Sequence, residues 1–393
     1  MIVNFEFLGK EPIENVITCM NYKVDKAVFF GYSEVVQCQK GPVKDFLSKQ
    51  CGVGQVVFHQ LSSSDLQSVL KSMRKEIEYE LAQGNDIYFD ITGGESLILV
   101  AFGILSNEYE TPMHLYDIEN NKVIELDEGA QKSISVDVPR QNVEFNLDSL
   151  IKLRGGTINY KRQKGIKTIS DRDFAEDVDR IWEVALKHID CWNVFSHFLN
   201  KYMSSEDSLN IAKSAGIITK VIKEPGTNLG APAKLNEILD DLENAGAIRN
   251  LVHADGVYSF SYKNREVANC LCDGGSILEL YICRREKKKD QCSDCRVGLH
   301  LDWDGVIQDR PGIDVLNEID VLTLKANVPT FISCKSGKID GSQALYALYE
   351  LETVAQRFGG KYAKKVLVIC NSLGEAYRNR ADEMGIEVWE MAK

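Results

Sequence analysis

Three residues in the last third of the chain, Glu279, Asp320 and Lys335, combine side-chain types that phosphodiester chemistry can use. The apolar pattern predicts a helix over residues 274–285 that carries Glu279, a strand over 319–324 that brings Asp320, and a strand over 329–334 that runs into Lys335. Two neighbouring strands ending in a carboxylate and an ammonium would set opposite charges at one edge of a sheet. Phosphodiester hydrolysis needs a hard cation held by oxygens, a water that loses its proton, and compensation for charge growing on the phosphoryl oxygens. Asp320 would be the central metal ligand and Glu279 a second or water-mediated one. Lys335 would orient the water or steady the transition state. Mg²⁺ and Mn²⁺ both suit such oxygen ligands.

A second candidate site lies near the other end. Asp90-Ile91-Thr92-Gly93-Gly94 follows a short apolar strand and opens a helix. Paired glycines allow a tight turn and close approach of backbone to a ligand, and the amides at a helix start favour an anion. A phosphate or ribose group could sit there, although the spacing is not the dinucleotide fingerprint. An ordinary strand-to-helix turn explains the same residues.

The elements that must position these groups are α/β throughout. Apolar strands are expected over 25–30, 55–60, 86–89 and 113–118, with helices over 65–81 and 95–105 between them. That pattern argues for a mostly parallel sheet covered on both faces. Such sheets bind ligands beyond the carboxyl ends of their strands. Residues 130–170 read as a connection and 173–199 as a helix. A helix over 235–245, a glycine and two strands (247–251 and 257–262, across Ala254-Asp255-Gly256) look like the end of a winged helix. Its acidic residues Glu237, Asp240, Asp241 and Glu243 suit a spacer or dimerisation module better than a DNA groove. The last 120 or so residues continue with a helix over 342–358, a strand over 365–370, a helix over 374–384 and a strand over 386–389.

A length of 393 residues points to two or three domains. The absence of a long apolar run or a signal-like N-terminus sets the expectation of a cytoplasmic, non-membrane protein. Eleven scattered cysteines fit a reducing compartment. Cys292 and Cys295 could join Cys270, Cys272 or Cys283 in a zinc site, but a second clean pair is missing. His300 reads as packed. With 46 basic and 58 acidic residues the net charge is −12, which excludes a protein that coats nucleic acid by bulk attraction. Two basic stretches, 152–170 and 284–289, could still form a local positive path.

Asn317-Glu318-Ile319-Asp320-Val321 followed by Ile332-Ser333-Cys334-Lys335 resembles the acidic pair and lysine of the restriction-endonuclease-like, PD-(D/E)xK, fold. Ser333 stands where that pattern has a carboxylate. Some enzymes with Ser-x-Lys take the missing ligand from the following helix. Here Gln343, Ala347 and Glu350 share one helical face, which makes Glu350 the candidate replacement, whereas Glu352 is rotated away.

Read with GLHLDWDGVI, NEIDVLTLKANVPTFISCKSG, ALYALYELETVAQRFGG and the Thr-Gly-Gly turn, the chain is similar end to end to CRISPR ancillary nucleases in which a CARF sensor is fused to a restriction-endonuclease-like domain. The resemblance implies a Rossmann-like CARF domain at 1–150, a helical, winged-helix-like linker at 151–264 and a nuclease domain at 265–393. It implies a homodimer that binds cyclic oligoadenylate, commonly the tetra-adenylate, and then cleaves DNA or RNA with a metal ion. Thr92, Gly93 and Gly94 match the family's sensor motif. Its first strand-to-helix loop corresponds to residues 8–15, including Gly9 and Asn15. Two rivals stay open: a ligand-responsive transcriptional regulator with a dead nuclease domain, which Ser333 favours, and a constitutive nuclease.

Overall fold

The computed structural model describes residues 1–62, 65–126, 132–163, 168–254, 256–289, 292–308 and 313–391. Lys164 and Lys167 of the first basic stretch, and Asp255 of the expected turn, lie outside them. Strands β1 (Ile2–Phe7), β2 (Lys26–Tyr32), β3 (Gln55–Leu61), β4 (Asp86–Asp90), β5 (Met113–Asp117) and β6 (Lys122–Glu125) form one sheet in the order β3-β2-β1-β4-β5-β6. All neighbours are parallel except β6, which runs against β5.

β1, the strand around which the order reverses, is not among the apolar strands expected from the sequence. Asn4 and Glu6 alternate with its apolar residues and suggest a half-exposed segment, yet both are buried, as are Phe5 and Phe7. A strand between two parallel neighbours and under helices on both sides hides even its polar positions. Burial, with Asp90 close by, pushes the Glu6 carboxyl well above the ordinary carboxylate range. Below that range Glu6 is protonated whether folded or not. As pH rises through the gap, the unfolded chain gives up its proton and the folded one keeps it, so stability falls. Glu6→Gln keeps the neutral form, and its melting temperature is expected to gain on the parent by a few degrees as pH rises above the ordinary carboxylate range. A difference that stays constant with pH would show that Glu6 does not titrate across this window.

The middle of the chain holds the helices Arg172–Lys187, Trp192–Tyr202 and Pro232–Asn244 and an antiparallel sheet of β8 (Asn210–Ser214), β9 (Ile248–Val252) and β10 (Val257–Tyr262), ordered β8-β10-β9. The single helix expected over 173–199 is two. The break around His188 turns Trp192, Phe195 and Phe198 into the same apolar cluster as Val178, Ile181 and Trp182.

A third sheet contains β7 (Thr157–Ile158), β11 (Cys292–Asp302), β12 (Leu316–Lys325), β13 (Val328–Lys335), β14 (Lys364–Ile369) and β15 (Ile386–Glu390), in the order β15-β14-β13-β12-β11-β7. The helix Ser276–Lys287 packs on one face, where Ile277 and Leu280 meet Val321, Ile332 and Val366. The helix Gly341–Gly359 packs on the other, where Leu348, Leu351 and Phe358 meet Leu322, Phe331 and Leu367. Residues 130–170, read as a connection, supply β7 and the helix Leu147–Leu153, whose Leu147, Leu150 and Ile151 are buried in an apolar cluster shared by the first and third sheets. The expected boundary at residue 150 falls inside that helix.

Candidate functional site

Asp320 and Lys335 meet because β12 and β13 are antiparallel neighbours, paired from Val321 with Ile332 onward. The register leaves Asp320 beside the last turn of β13, where its Oδ2 accepts from the Cys334 amide at 2.6 Å, the Ser333 hydroxyl at 3.1 Å and the Lys335 ammonium at 3.4 Å. Three donors on one carboxylate oxygen fix its direction and hold it against the ammonium. A cavity of about 200 Å³ opens here, lined by Asp320, Ser333, Lys335, Glu318 and Glu350 with Leu351 and Val354 as its apolar wall.

Glu350 reaches this cavity from the middle of the Gly341–Gly359 helix. That helix starts at Asp340, whose side chain accepts from the Gln343 amide while the Gln343 side chain accepts from the Asp340 amide, a capping box. Asn317 donates to Glu350 at 3.2 Å, and the Trp303 indole donates to Asn317 at 2.8 Å. Arg357 in turn donates to the Trp303 carbonyl at 2.6 Å. Glu350 is thus aimed by a chain of hydrogen bonds that begins in its own helix. Glu352 pairs with Lys365 instead.

Glu279 lies in the first turn of the Ser276–Lys287 helix, on the opposite face of the sheet. Burial first, then the charges of Asp320 and Glu279, push the Cys334 thiol well up, so both carboxylates act on the same end of β13. The structure therefore gathers Asp320, Lys335 and Glu350 around one cavity and holds Glu279 on the far side of the same strand end. Asp320, Glu350, Lys335 and Glu279 are all half-buried, so each remains within reach of solvent.

The residues expected to bind a ligand lie around the ends of β1 and β4. Thr92 closes its own turn: its amide donates to Asp90 at 2.7 Å and its hydroxyl accepts from the Tyr116 amide at 2.8 Å. Asn15 holds the loop after β1 by two bonds with the Gly9 backbone, at 2.9 and 3.0 Å. Gly93 is pressed against Glu14, since a Cβ there would lie 2.7 Å from the Glu14 Oε2, and Gly94 has φ +140°. These five residues brace the carboxyl ends of β1 and β4, where the strand order reverses. Beside them is a cavity of about 490 Å³ lined by Lys10, Tyr32, Ser33, Glu34, Val35, Leu61, Ser62 and Glu95, which come from the ends of β1 to β4. Only the general rule for ligands in open parallel sheets signals those lining residues in sequence.

The same loop touches the third sheet's helix. Glu14 accepts from the Tyr362 hydroxyl at 2.8 Å and pairs with Lys361, while Glu11 accepts from the Lys361 amide at 3.1 Å and pairs with Arg154. Lys361 and Tyr362 follow directly on the helix that carries Glu350.

The basic stretch at 284–289 is largely spent on neighbours: Arg284 and Lys288 pair with Asp179, Lys289 pairs with Glu286, and Arg285 stacks on Trp389. Cys283 and Cys295 are 2.8 Å apart between the Ser276–Lys287 helix and β11. Among the described residues the cysteines do not form a group of three metal-ligating side chains. His188, Glu237 and Asp241 do, in the middle of the chain. Lys187 and Lys234 already donate to this trio, Lys187 to Asp241 at 2.8 Å and Lys234 to His188 at 2.9 Å and Glu237 at 3.0 Å, which makes it an ion-pair network joining two helices. No helix among the described residues is long and apolar enough to cross a membrane.

No protein-family model and no curated protein sequence matches the chain. Solved structures do. Protein VC1899 from Vibrio cholerae superposes with a TM-score of 0.74 at 16% identity, over 99% of this chain and 94% of that one. Can2 from Sulfobacillus thermosulfidooxidans, solved in complex with cyclic tetra-adenylate, superposes with a TM-score of 0.63 at 14% identity, over 100% of this chain and 96% of that one. The chain shares their fold. The agreement runs end to end, so the order of first sheet, middle module and third sheet belongs to this architecture and is not a chance likeness of one domain.

Proposed function

We propose that the chain is a metal-dependent nuclease switched on by a cyclic oligoadenylate. The observation that carries this reading is the convergence of Asp320, Lys335 and Glu350 on one cavity, within a fold shared with a protein that was solved holding cyclic tetra-adenylate. Two carboxylates and a serine hydroxyl facing one small space are oxygen donors suited to a hard divalent cation, and Mg²⁺ or Mn²⁺ would be held by Asp320 and Glu350, with Glu279 contributing from the other side. Such an ion, when bound, lowers the pKa of a water and draws charge from the phosphoryl group. Asp320 fixes the position of the reacting phosphate's surroundings through its three donors. Lys335 supplies positive charge beside the phosphate and orients the attacking water, and Leu351 and Val354 limit the solvent that reaches it.

The cavity at the ends of β1 to β4 is the proposed messenger site, with Lys10 as its cation for phosphate. A two-fold messenger fits a homodimer in which two copies of this cavity face each other. The contacts from Glu11 and Glu14 to Lys361 and Tyr362 support a path by which that loop biases the helix carrying Glu350. The test is a cleavage assay on RNA, single-stranded DNA and supercoiled plasmid with a panel of cyclic oligoadenylates and either metal. Cleavage that depends on both messenger and metal is expected. Equal cleavage with and without messenger removes the switch. Ser333, which has no charge to hold a cation, favours one other reading, a ligand-responsive regulator with a silent nuclease domain. Sequence-specific duplex binding with no cleavage under any condition would select it.

A further inference from the structure

We propose that Arg154 couples the two cavities, passing the position of Glu11 in the loop after β1 to the Glu350 carboxylate through Arg357, Trp303 and Asn317, so that a ligand in the first cavity sets the metal affinity of the second. The inference rests on the nuclease reading above and names how that site is regulated. Lys361 and Tyr362 tie the loop to the end of the helix. Arg154 ties it to the carboxylate itself.

Arg154 stands just after the helix Leu147–Leu153, with its side chain only 9% exposed. Its guanidinium pairs with Glu11 and donates to the Gly359 carbonyl at 2.8 Å. Gly359 is the last residue of the helix that carries Glu350, so the cation also suits the negative end of that helix. A Cβ at Gly360, where φ is +67°, would collide with both Arg154 and Glu11. Glycine there lets the ion pair lie against the helix end. Burial first, then the charge of Arg357, bring the Arg154 pKa down to about 10. A buried guanidinium beside a second one depends on its carboxylate, and Glu11 is that carboxylate.

Arg357 spreads its two terminal nitrogens over two carbonyls, that of Arg154 and, at 2.6 Å, that of Trp303. A rigid planar fork cannot follow one carbonyl without moving against the other. The Trp303 indole can only donate, so the Asn317 oxygen must face it, at 2.8 Å, and the amide nitrogen is left for Glu350, at 3.2 Å. Each link has one chemically possible direction. The chain starts at Glu11, next to Lys10 of the cavity of about 490 Å³, and ends at Glu350 in the cavity of about 200 Å³. An anionic ligand beside Lys10 sets like charge next to Glu11, which favours its carboxylate turned to Arg154 and, with it, Glu350 held on its cavity.

Electron paramagnetic resonance of free Mn²⁺ measures metal binding by the full-length protein directly, with and without saturating cyclic tetra-adenylate. In the parent the messenger is expected to tighten Mn²⁺ binding by about tenfold, and Mn²⁺ to tighten messenger binding by the same factor. Trp303→Phe keeps a ring against Phe358 and the carbonyl that Arg357 uses, and removes only the donor to Asn317. In this variant the factor is expected to fall below about twofold, while messenger affinity without metal stays that of the parent. Glu11→Gln is expected to lose the coupling likewise, and the double variant to lose no more than either single one, since both interrupt one chain. Glu11→Gln leaves a buried guanidinium unpaired, so Trp303→Phe decides the matter if that variant does not fold. A messenger effect of full size in Trp303→Phe, additive losses in the double variant, or no messenger effect on Mn²⁺ binding in the parent overturns the inference. If the parent cleaves only with messenger and metal and Trp303→Phe keeps the full effect, only the inference falls. If the coupling is lost as expected but no nucleic acid is cleaved by the parent, the nuclease reading falls and the coupling stands.

Discussion

Asp320→Asn is expected to lower cleavage by at least about 100-fold in single-turnover assays with saturating messenger, the scale of losing one preorganised electrostatic contact. The substitution keeps volume and one carbonyl oxygen, so the Cys334 amide and Ser333 hydroxyl retain an acceptor. What disappears is the charge that faces Lys335 and would hold the cation. Lys335→Ala should fall by a similar factor for the complementary reason, since it removes the only ammonium among the lining residues of this cavity. Cyclic tetra-adenylate binding, measured by calorimetry, should be nearly unchanged in both, because the cavity proposed for the messenger draws on none of these residues. Near-normal cleavage by either variant, with bound messenger verified, would remove that residue from the mechanism.

Replacing Glu350 by Gln should raise the Mn²⁺ concentration needed for half-maximal cleavage by at least about tenfold, as expected when a ligating carboxylate becomes a neutral amide. The helix should not suffer: its capping box and its buried Ala344, Ala347, Leu348 and Leu351 are untouched, and the amide oxygen of the replacement can still accept from Asn317. The effect would therefore be read in the metal titration and not in the melting temperature. Adding Ser333→Glu to this variant should recover part of the loss, since position 333 lines the same cavity and would restore a carboxylate on the strand. Superimposable titrations for the parent and Glu350→Gln would eliminate Glu350 as a ligand and leave Asp320 and Lys335 untouched. In that case Glu318, which also lines the cavity, and Glu279, from the other face of the sheet, are the carboxylates left to test.

These expectations differ in how far the linear sequence carries them. The strands that bear Asp320 and Lys335 are short and apolar with a turn between them, and they become neighbours in an antiparallel hairpin, the arrangement that separation along the chain favours. Helical periodicity likewise sets Glu350 on one stripe with Gln343. It says nothing of what that stripe faces, and the Trp303–Asn317–Glu350 chain of hydrogen bonds joins residues that no local pattern relates. The basic stretch at 284–289 shows the opposite failure. Its charge count suggests an open positive path, but Asp179 and Trp389 arrive from other elements to occupy it, and Glu286 of the stretch itself pairs with Lys289.

The sequence by itself determined the alternation of strands and helices, the positions of the glycine turn after β4 and of the carboxylate and lysine strands, and a charge balance that rules out bulk attraction to nucleic acid. Each of these depends on residue type and on spacing of a few positions, which short-range sterics and hydropathy translate directly into structure. Only the tertiary structure decided that β1 with its Asn4 and Glu6 lies at the centre of a sheet, that Thr92 accepts from the Tyr116 amide of β5, and that Glu279 and Glu350 approach β13 from opposite faces. It alone brought Glu11 and Glu14 against Lys361 and Tyr362, 350 and 348 residues further along the chain. Such contacts are chosen by which apolar faces bury one another across the whole chain, and the polar groups at their rims meet as a consequence of that packing.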